Sequence, residues 1–365
     1  MVKKSVLQSQ RIIDVMAASN RGELIYVGVD VHTKVYAVSI LSQSGLNCSF
    51  TTPRDDHGLI QQLQQKMALK VTRLVYEAGL TGFGLCRACR ASGIDAIVVS
   101  ANRIPRPASK TAKTDKIDSL RLAEFLSKDL LKGIYVPSEA AEARRALSRR
   151  RTDVTRSLAK AKVKIKSLLI CHGLPLPCSW GEESVKILKD MAIDLLPGLR
   201  ETLQSHLRDY DHFKTEKKCL TKQIQELVSP PGDILHSIPG VGPVTATTFR
   251  SEIIDPKRFD NGEQLTSYLG LAPTIQQSGE SSAAARLIPT GQGTLRSLLV
   301  EAAWVLYTRA AWAKDLYSRI YMRNGKCGSK AIIAVARKLA IIMWRVWLEE
   351  RPYSPSAKPV NKVPA

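Results

Sequence analysis

Four carboxylates sit where chemistry could use them: Asp30, Glu77, Asp115 and Asp118. Asp30 ends the apolar run LIYVGVD, where an unpaired charge is costly and therefore usually functional. Glu77 lies near the end of a second short run, RLVYEAG, that would pair beside the first. Asp115 and Asp118 stand at i and i+3 of a helix, hence on one face. Taken singly, each acid is explained by solvent exposure. Together they form an oxygen-rich set of the kind Mg²⁺ prefers. Two such ions could activate a nucleophile and stabilise a leaving oxygen in phosphoryl transfer.

Two further segments carry possible chemistry. IPGVGPVTA at 238–246 reads as a helix-hairpin-helix element, in which Gly240 and Gly242 would expose backbone N–H groups to a DNA phosphate. An ordinary glycine turn between helices serves equally well. In YLGLAPTIQQSGESSAAARLIPTGQGTLRSLLVEAAW, Ser278 precedes a glycine on a polar loop between Arg286, Arg296 and the preceding helix. It could attack a phosphodiester while the arginines stabilise developing charge. Ser281 and Ser282 have the same reactivity in principle. Cys86 and Cys89 form a lone CxxC with no second pair nearby, which fits packing better than zinc. The histidines are scattered without metal-ligand spacing.

The elements needed to position these residues are legible. LIYVGVDVHTKVYAVSI at 24–40 predicts two strands around a turn at His32–Lys34, and 57–69 predicts a helix. Strands at 73–79 and 94–100 flank a helix at 82–91, and another helix opens near Thr114. Alternating strands and helices predict an α/β layer with at least partly parallel pairing. Past Pro137 the pattern changes to heptads: Leu147, Val154, Ala161 and Leu168 in one position, Leu158 and Ile165 in another. A second run holds Leu199, Leu203, His206, Tyr210, Phe213, Leu220, Ile224 and Leu227. Two long helices joined by a loop at 171–183 predict a coiled-coil arm suited to self-association. The expected organisation is an N-terminal extension at 1–23, an α/β domain at 24–137, the coiled coil at 138–229, a mostly helical domain at 230–350 and a disordered tail at 351–365.

The 365 residues carry 54 Lys+Arg against 33 Asp+Glu, a net charge of +21, which calls for a polyanionic partner. The surplus is local. Residues 101–170 hold 18 basic and 7 acidic side chains, and 286–365 hold 14 and 4. Two blocks around near-neutral regions suit a protein that grips phosphate backbones twice. Within the first block, Arg144, Arg145, Arg149, Arg150, Arg151, Lys160, Lys162 and Lys164 are the expected contacts. Aromatic residues are only 6% of the chain, so backbone contacts should outweigh base stacking. The N-terminus lacks an apolar signal core, AIIAVARKLAIIMWRVW is broken by Arg337, Lys338 and Arg345, and seven irregular cysteines do not form a disulfide framework. These features predict a cytoplasmic protein with no membrane partner.

GVDVHTK, VYEAG and KTDKIDSLRLA, followed by IPGVGPVTA and YLGLAP…QSGE…GQGTLRSLLVEAA, resemble the DEDD transposases of the insertion-sequence one-ten family, described as bridge-RNA-guided serine recombinases. The resemblance runs from about Gly28 to Arg345. It implies an RNase-H-like (RuvC-like) domain, a coiled-coil connector and a helical transposase domain. It implies Mg²⁺ at Asp30, Glu77, Asp115 and Asp118, and Ser278 as a nucleophile forming a phosphoserine link to DNA. It further implies donor and target DNA as substrates, an element-encoded noncoding bridge RNA, and a homo-oligomer, a tetramer in the family. The chain departs from the family pattern in the loop ESSAAAR, in Pro289 and in its N-terminal extension.

Two other functions fit the same residues. A RuvC-like Mg²⁺-dependent structure-specific DNA nuclease would use the four acids and leave Ser278 incidental. A structural nucleic-acid-binding protein with a degenerate site would use neither.

Overall fold

The computed structural model describes residues 2–79, 81–105, 114–228, 230, 232–274, 277–278, 281–282, 286–287 and 292–355; the side chains of 2–8 and of 274–287 lie outside that description. The chain divides into two compact units, Met1–Pro137 and Ser138–Ala365.

The first unit runs α1 (Val2–Asn20), β1 (Ile25–Val31), β2 (Val35–Ser42), β3 (Asn47–Pro53), α2 (Asp56–Gln61), β4 (Val71–Glu77), α3 (Gly84–Ala91), β5 (Asp95–Val99) and α4 (Asp115–Ser127). Its sheet has the order β3-β2-β1-β4-β5. β1, β2 and β3 form an antiparallel meander, whereas β4 and β5 run parallel to β1. Strand alternation divides the side chains between two faces. Val27, Val29, Val38, Ile40, Leu74, Tyr76, Ala96 and Val98 enter the larger core with residues of α1, α2 and α3. Val75 and Val99 face the other way and meet Leu122 and Leu126 of α4.

α4 lies unusually close to the sheet, and glycine is the reason. A Cβ built on Gly28 of β1 would sit 2.0 Å from the Ser119 carbonyl oxygen and 2.7 Å from the Ala123 nitrogen. Three buried or half-buried hydroxyls join the same seam. Ser39 Oγ lies 2.8 Å from both Ser49 Oγ and Ser119 Oγ, linking β2, β3 and α4. Thr114 caps α4, its side chain accepting from the Ile117 N–H.

The structure adds elements that the sequence patterns left unassigned. The N-terminal extension is helical: Val15 and Ala18 of α1 are buried, and Ser19 Oγ accepts from the Lys70 N–H. The edge strand β3 extends the meander. The expected helix at 57–69 is α2 followed by a π-helical turn at Gln62–Lys66. Cys86 and Cys89 are buried on α3; the Cys86 thiol donates to the Ala96 carbonyl, and burial pushes the Cys89 thiol up to about 12. Packing is therefore their role.

The second unit contains α5 (Glu139–Cys171), α6 (Glu182–Met191), α7 (Pro197–Val228), α8 (Pro243–Ile253), α9 (Gly262–Tyr268), two short strand pairs, and α10 (Gly293–Arg309), α11 (Ala311–Arg323) and α12 (Gly328–Glu349). The pairs are β6 (Pro273–Thr274) with β9 (Arg286–Leu287) and β7 (Gln277–Ser278) with β8 (Ser281–Ser282). α5 and α7 pack antiparallel: Arg151 bonds Thr221, and further along α5 Lys162 lies over Tyr210. Val154, Leu158, Ala161 and Ile165 keep the heptad seam. At the ends of α5 the buried positions include Ser148 and Leu169, with Leu147 and Leu168 half-buried. On α7, Leu207 takes the place expected for His206, and Leu227 is exposed. α6 fills the turn between the arms, contributing Val185 and Leu188 to their core.

α8, α9, α10 and α12 share the other core of this unit. Asp233, with a fully buried side chain, takes a bidentate pair from Arg250 at 2.7 and 2.8 Å, and the guanidinium stacks 4.6 Å from the Trp347 ring centroid. Removing one partner strands a buried charge. Asp233→Ala is therefore expected to cost about 3–5 kcal/mol, read as a lower urea midpoint of the full-length protein; a loss below about 1 kcal/mol would mean the pair does not clamp this unit. Beyond α12, Tyr353 Oη accepts from Trp312 Nε1 at 2.7 Å, so packing continues past the point where the tail was expected to begin. Residues 356–365 lie outside the described residues.

Candidate active site on the N-terminal sheet

Asp30 and Glu77 reach the same face of the sheet for a simple reason. β1 and β4 are parallel neighbours with Val29 opposite Tyr76, so the next residue on each strand points to the α4 side. Gly28 lets α4 approach, and the helix then presents Asp115 from its first turn. The convergence includes a residue the sequence patterns did not single out. His32 Nε2 lies 3.2 Å from Asp30 Oδ2 and 3.2 Å from Asp115 Oδ2. Ligand atoms of Asp30, His32 and Asp115 all fall within 4.8 Å of one another.

Asp118 and Glu77 stand outside that tight group. Asp118 lies 3.8 Å from Arg121 on its own helix, and Glu77 is exposed at the end of β4. Both remain on the α4 side of the sheet. Burial pushes the Asp30 carboxyl above its ordinary range; His32 opposes this shift, while Asp115 and Asp118 add to it. A cation among these groups would relieve that repulsion.

The donor set fits a divalent cation. Two carboxylates and an imidazole nitrogen converge, with His32 Nε2 at ion-pair distance from one oxygen of each carboxylate. The strand period contained the signal for His32. Asp30 and His32 are two residues apart and so share a face, but His32 falls at the turn.

The other expected contacts divide by environment. Arg149 donates to both Glu252 oxygens at 2.9 and 3.1 Å, and Arg145 lies 3.5 Å from the same carboxylate. Arg151 bonds Thr221, while Lys162 lies 5.2 Å from the Trp180 ring centroid. These four have intramolecular work. Arg144, Arg150, Lys160 and Lys164 are exposed on α5. Gly240, at φ +88°, allows close packing: its Cβ would lie 2.6 Å from the Ala302 carbonyl. Gly242 precedes Pro243 at the α8 N-terminus and borders open space. Arg296 donates to the Gly270 carbonyl at 3.2 Å. Ser278 pairs with Ser281 across β7 and β8; the side chains of Ser278 and Arg286 lie outside the described residues.

Residues 27–171, which contain all four acids and His32, match the IS110 DEDD transposase family, and 232–318 match the family described as Transposase IS116/IS110/IS902. These matches place the chain among DEDD-type transposases. The relatives agree. Protein y4qE of Sinorhizobium fredii is 28% identical over 361 residues, 89% of each chain. The transposase for insertion sequence element IS1111A of Coxiella burnetii is 24% identical over 372 residues, 96% of this chain and 98% of its own. The pilin gene-inverting protein of Moraxella lacunata is 25% identical over 341 residues, 90% and 97% of the two chains. The chain belongs to the IS110 family of insertion-sequence transposases. Among the described residues, no helix is long and apolar enough to cross a membrane.

Proposed function

We propose that the protein is an RNA-guided DNA recombinase that cuts and rejoins donor and target DNA through a phosphoserine intermediate, with Mg²⁺ at Asp30, Glu77, Asp115 and Asp118. The observation that carries this reading is the convergence of Asp30 and Asp115 across the Gly28 contact. The mixed sheet with α4 on one face supports a RuvC-like domain. Bound Mg²⁺ would supply charge neutralisation around the reacting phosphate. Ser278 Oγ attacks phosphorus, a P–Oγ bond forms, and the P–O bond to the departing strand breaks. The serine proton leaves to a base, and the departing oxygen takes up a proton. Rejoining reverses the exchange, so the phosphodiester energy is retained without ATP.

Partner choice follows from the rest of the chain. The exposed Arg144, Arg150, Lys160 and Lys164 suit phosphate backbones of DNA or of a bridge RNA. Delegating sequence choice to base pairing suits a protein whose contacts are mainly with the backbone. Heptad positions in the middle of α5 pack within the chain, leaving Val163, Ile170, Leu176, Ile187, Ile193 and Leu196 exposed along and near the arms. These apolar residues favour a homo-oligomer, a tetramer by analogy with the family.

A nuclease reading is favoured by one fact: the acidic cluster is built entirely within Met1–Pro137. A denaturing gel distinguishes the two, using the full chain, element-derived RNA, Mg²⁺ and labelled donor and target DNA. The recombinase reading expects a protein–DNA band in wild type and none in Ser278→Ala or Asp115→Ala. DNA cutting by Ser278→Ala without a covalent band would establish the nuclease instead. Unchanged DNA processing by both variants would reject the acidic active site.

A further inference from the structure

We propose that Trp304, Tyr307, Tyr317 and Tyr321 form a stacking platform for the unpaired bases of single-stranded DNA. Aromatic residues are only 6% of the chain, yet these four meet in one ladder. Trp304 and Tyr307 share a face of α10 at i and i+3, and Tyr317 and Tyr321 share a face of α11 at i and i+4. Ring centroids are 5.8 Å apart for Trp304 and Tyr317, 4.7 Å for Tyr307 and Tyr317, and 5.8 Å for Tyr317 and Tyr321. The last pair is stacked, with 15° between the ring planes. Gly328 makes room for the middle ring, since a Cβ there would lie 3.0 Å from the Tyr317 hydroxyl oxygen. Tyr307 and Tyr317 rest against the helical core and anchor the ladder, whereas Trp304 stands outside that core and is 44% exposed.

Two observations choose the occupant. Elsewhere in this unit a cation lies over the exposed ring faces: Arg250 over Trp347, Lys162 over Trp180 and Arg258 over Tyr268. Among the described residues, none lies over these four rings. An exposed indole without such a cover is open to another π system, and every nucleobase presents one. The second observation is charge. Residues 301–330 hold Arg309, Lys314, Arg319, Arg323, Lys326 and Lys330 against Glu301 and Asp315. All six cations are exposed, and among the described residues none is paired with an acid. They suit a phosphate backbone whose bases reach the rings. A second copy of the chain fits poorly, because a two-fold interface would set these cations against their own copies. Duplex DNA keeps its bases stacked on one another. A strand transferred between duplexes must leave its complement, so the strand transfer of this family supplies unpaired DNA. The proposal needs only that activity and not the phosphoserine route.

The test follows fluorescence anisotropy of labelled probes of about 15 nucleotides with the full-length protein. The probes are oligothymidine DNA, the same backbone carrying abasic sites, a DNA duplex, and oligouridine RNA. Wild type is expected to bind oligothymidine at least about fivefold more tightly than the abasic strand. Trp304→Ala and Tyr321→Ala should each weaken oligothymidine by about 5–100-fold, the scale of one base–aromatic stack, and the abasic strand and duplex by less than about twofold. Trp304→Phe, which keeps a ring, should recover most of the loss. Melting curves check that the variants fold. Wild-type affinity for oligothymidine in both alanine variants, where folded, overturns the platform, as does equal wild-type binding of the base-bearing and abasic strands. Equal losses on all the probes would show a general defect and not stacking. A loss confined to oligouridine would reassign the surface to RNA. A changed sedimentation coefficient with unchanged DNA binding would make it a contact between copies.

Discussion

Gly28→Ala is expected to abolish transposition and to lower the stability of the N-terminal unit by several kcal/mol. The added methyl would stand 2.0 Å from a backbone carbonyl oxygen and 2.7 Å from a backbone nitrogen, neither of which can swing aside. α4 must move away, breaking its close packing on Val75 and Val99. Overpacking alone typically costs about 1–3 kcal/mol, and lost burial of Leu122 and Leu126 adds to it. The same movement separates Asp115 from Asp30 and His32. Calorimetry and Mg²⁺ titration of the variant should therefore fail together. A variant with wild-type stability and metal affinity would show that the close approach has no role in holding the centre.

Asp30→Asn is expected to change activity and stability in opposite directions. Strand cleavage should fall on the order of 10³-fold, the scale seen when a preorganised electrostatic group is removed. Metal-free protein should become more stable at neutral pH by about 1 kcal/mol, a typical gain when an active-site strain is relieved. The sign follows from linkage. The folded state raises the carboxyl's pKa, chiefly by burial, so its ionisation disfavours folding; stability is higher while Asp30 is protonated and falls as pH rises from the ordinary carboxylate range through the raised folded value. Asparagine removes that loss. Melting curves with chelator, then with Mg²⁺, check both consequences: the metal should raise the midpoint of wild type and leave the variant unchanged. A less stable metal-free variant would indicate that His32 compensates the Asp30 charge fully.

Much of this centre was legible because strand ends and helix periods have short-range signatures. Asp30 and Glu77 close apolar runs, and Thr114 precedes an acidic first turn, so three elements and their acids could be read directly. Helix α4 could not be docked from its own residues, because its position depends on Gly28, roughly ninety residues away. His32 was hidden by a competing turn signal. β3, with the sequence NCSFTTP, lacks a dense apolar run, and its edge position allows that polarity. The arms were legible from heptads, but the partner of each seam was not; periodicity identifies an apolar stripe without saying which helix covers it. Arg145, Arg149 and Lys162 illustrate the same limit for charge, since composition cannot distinguish a cation aimed at solvent from one held by Glu252 or an aromatic ring.

The hydroxyl link among Ser39, Ser49 and Ser119 gives α4 an angular index. An apolar seam tolerates small rolling and sliding because its attraction has no direction. Hydrogen bonds at one point of the seam favour a single rotation of the helix, in the way a detent stops a dial. Functional groups need placement within about 0.5 Å and 10–20°. Three side chains outside the Asp30–His32–Asp115 cluster therefore set the aim of the helix that supplies Asp115, and substitutions there should shift the spacing of that cluster while leaving its chemistry intact.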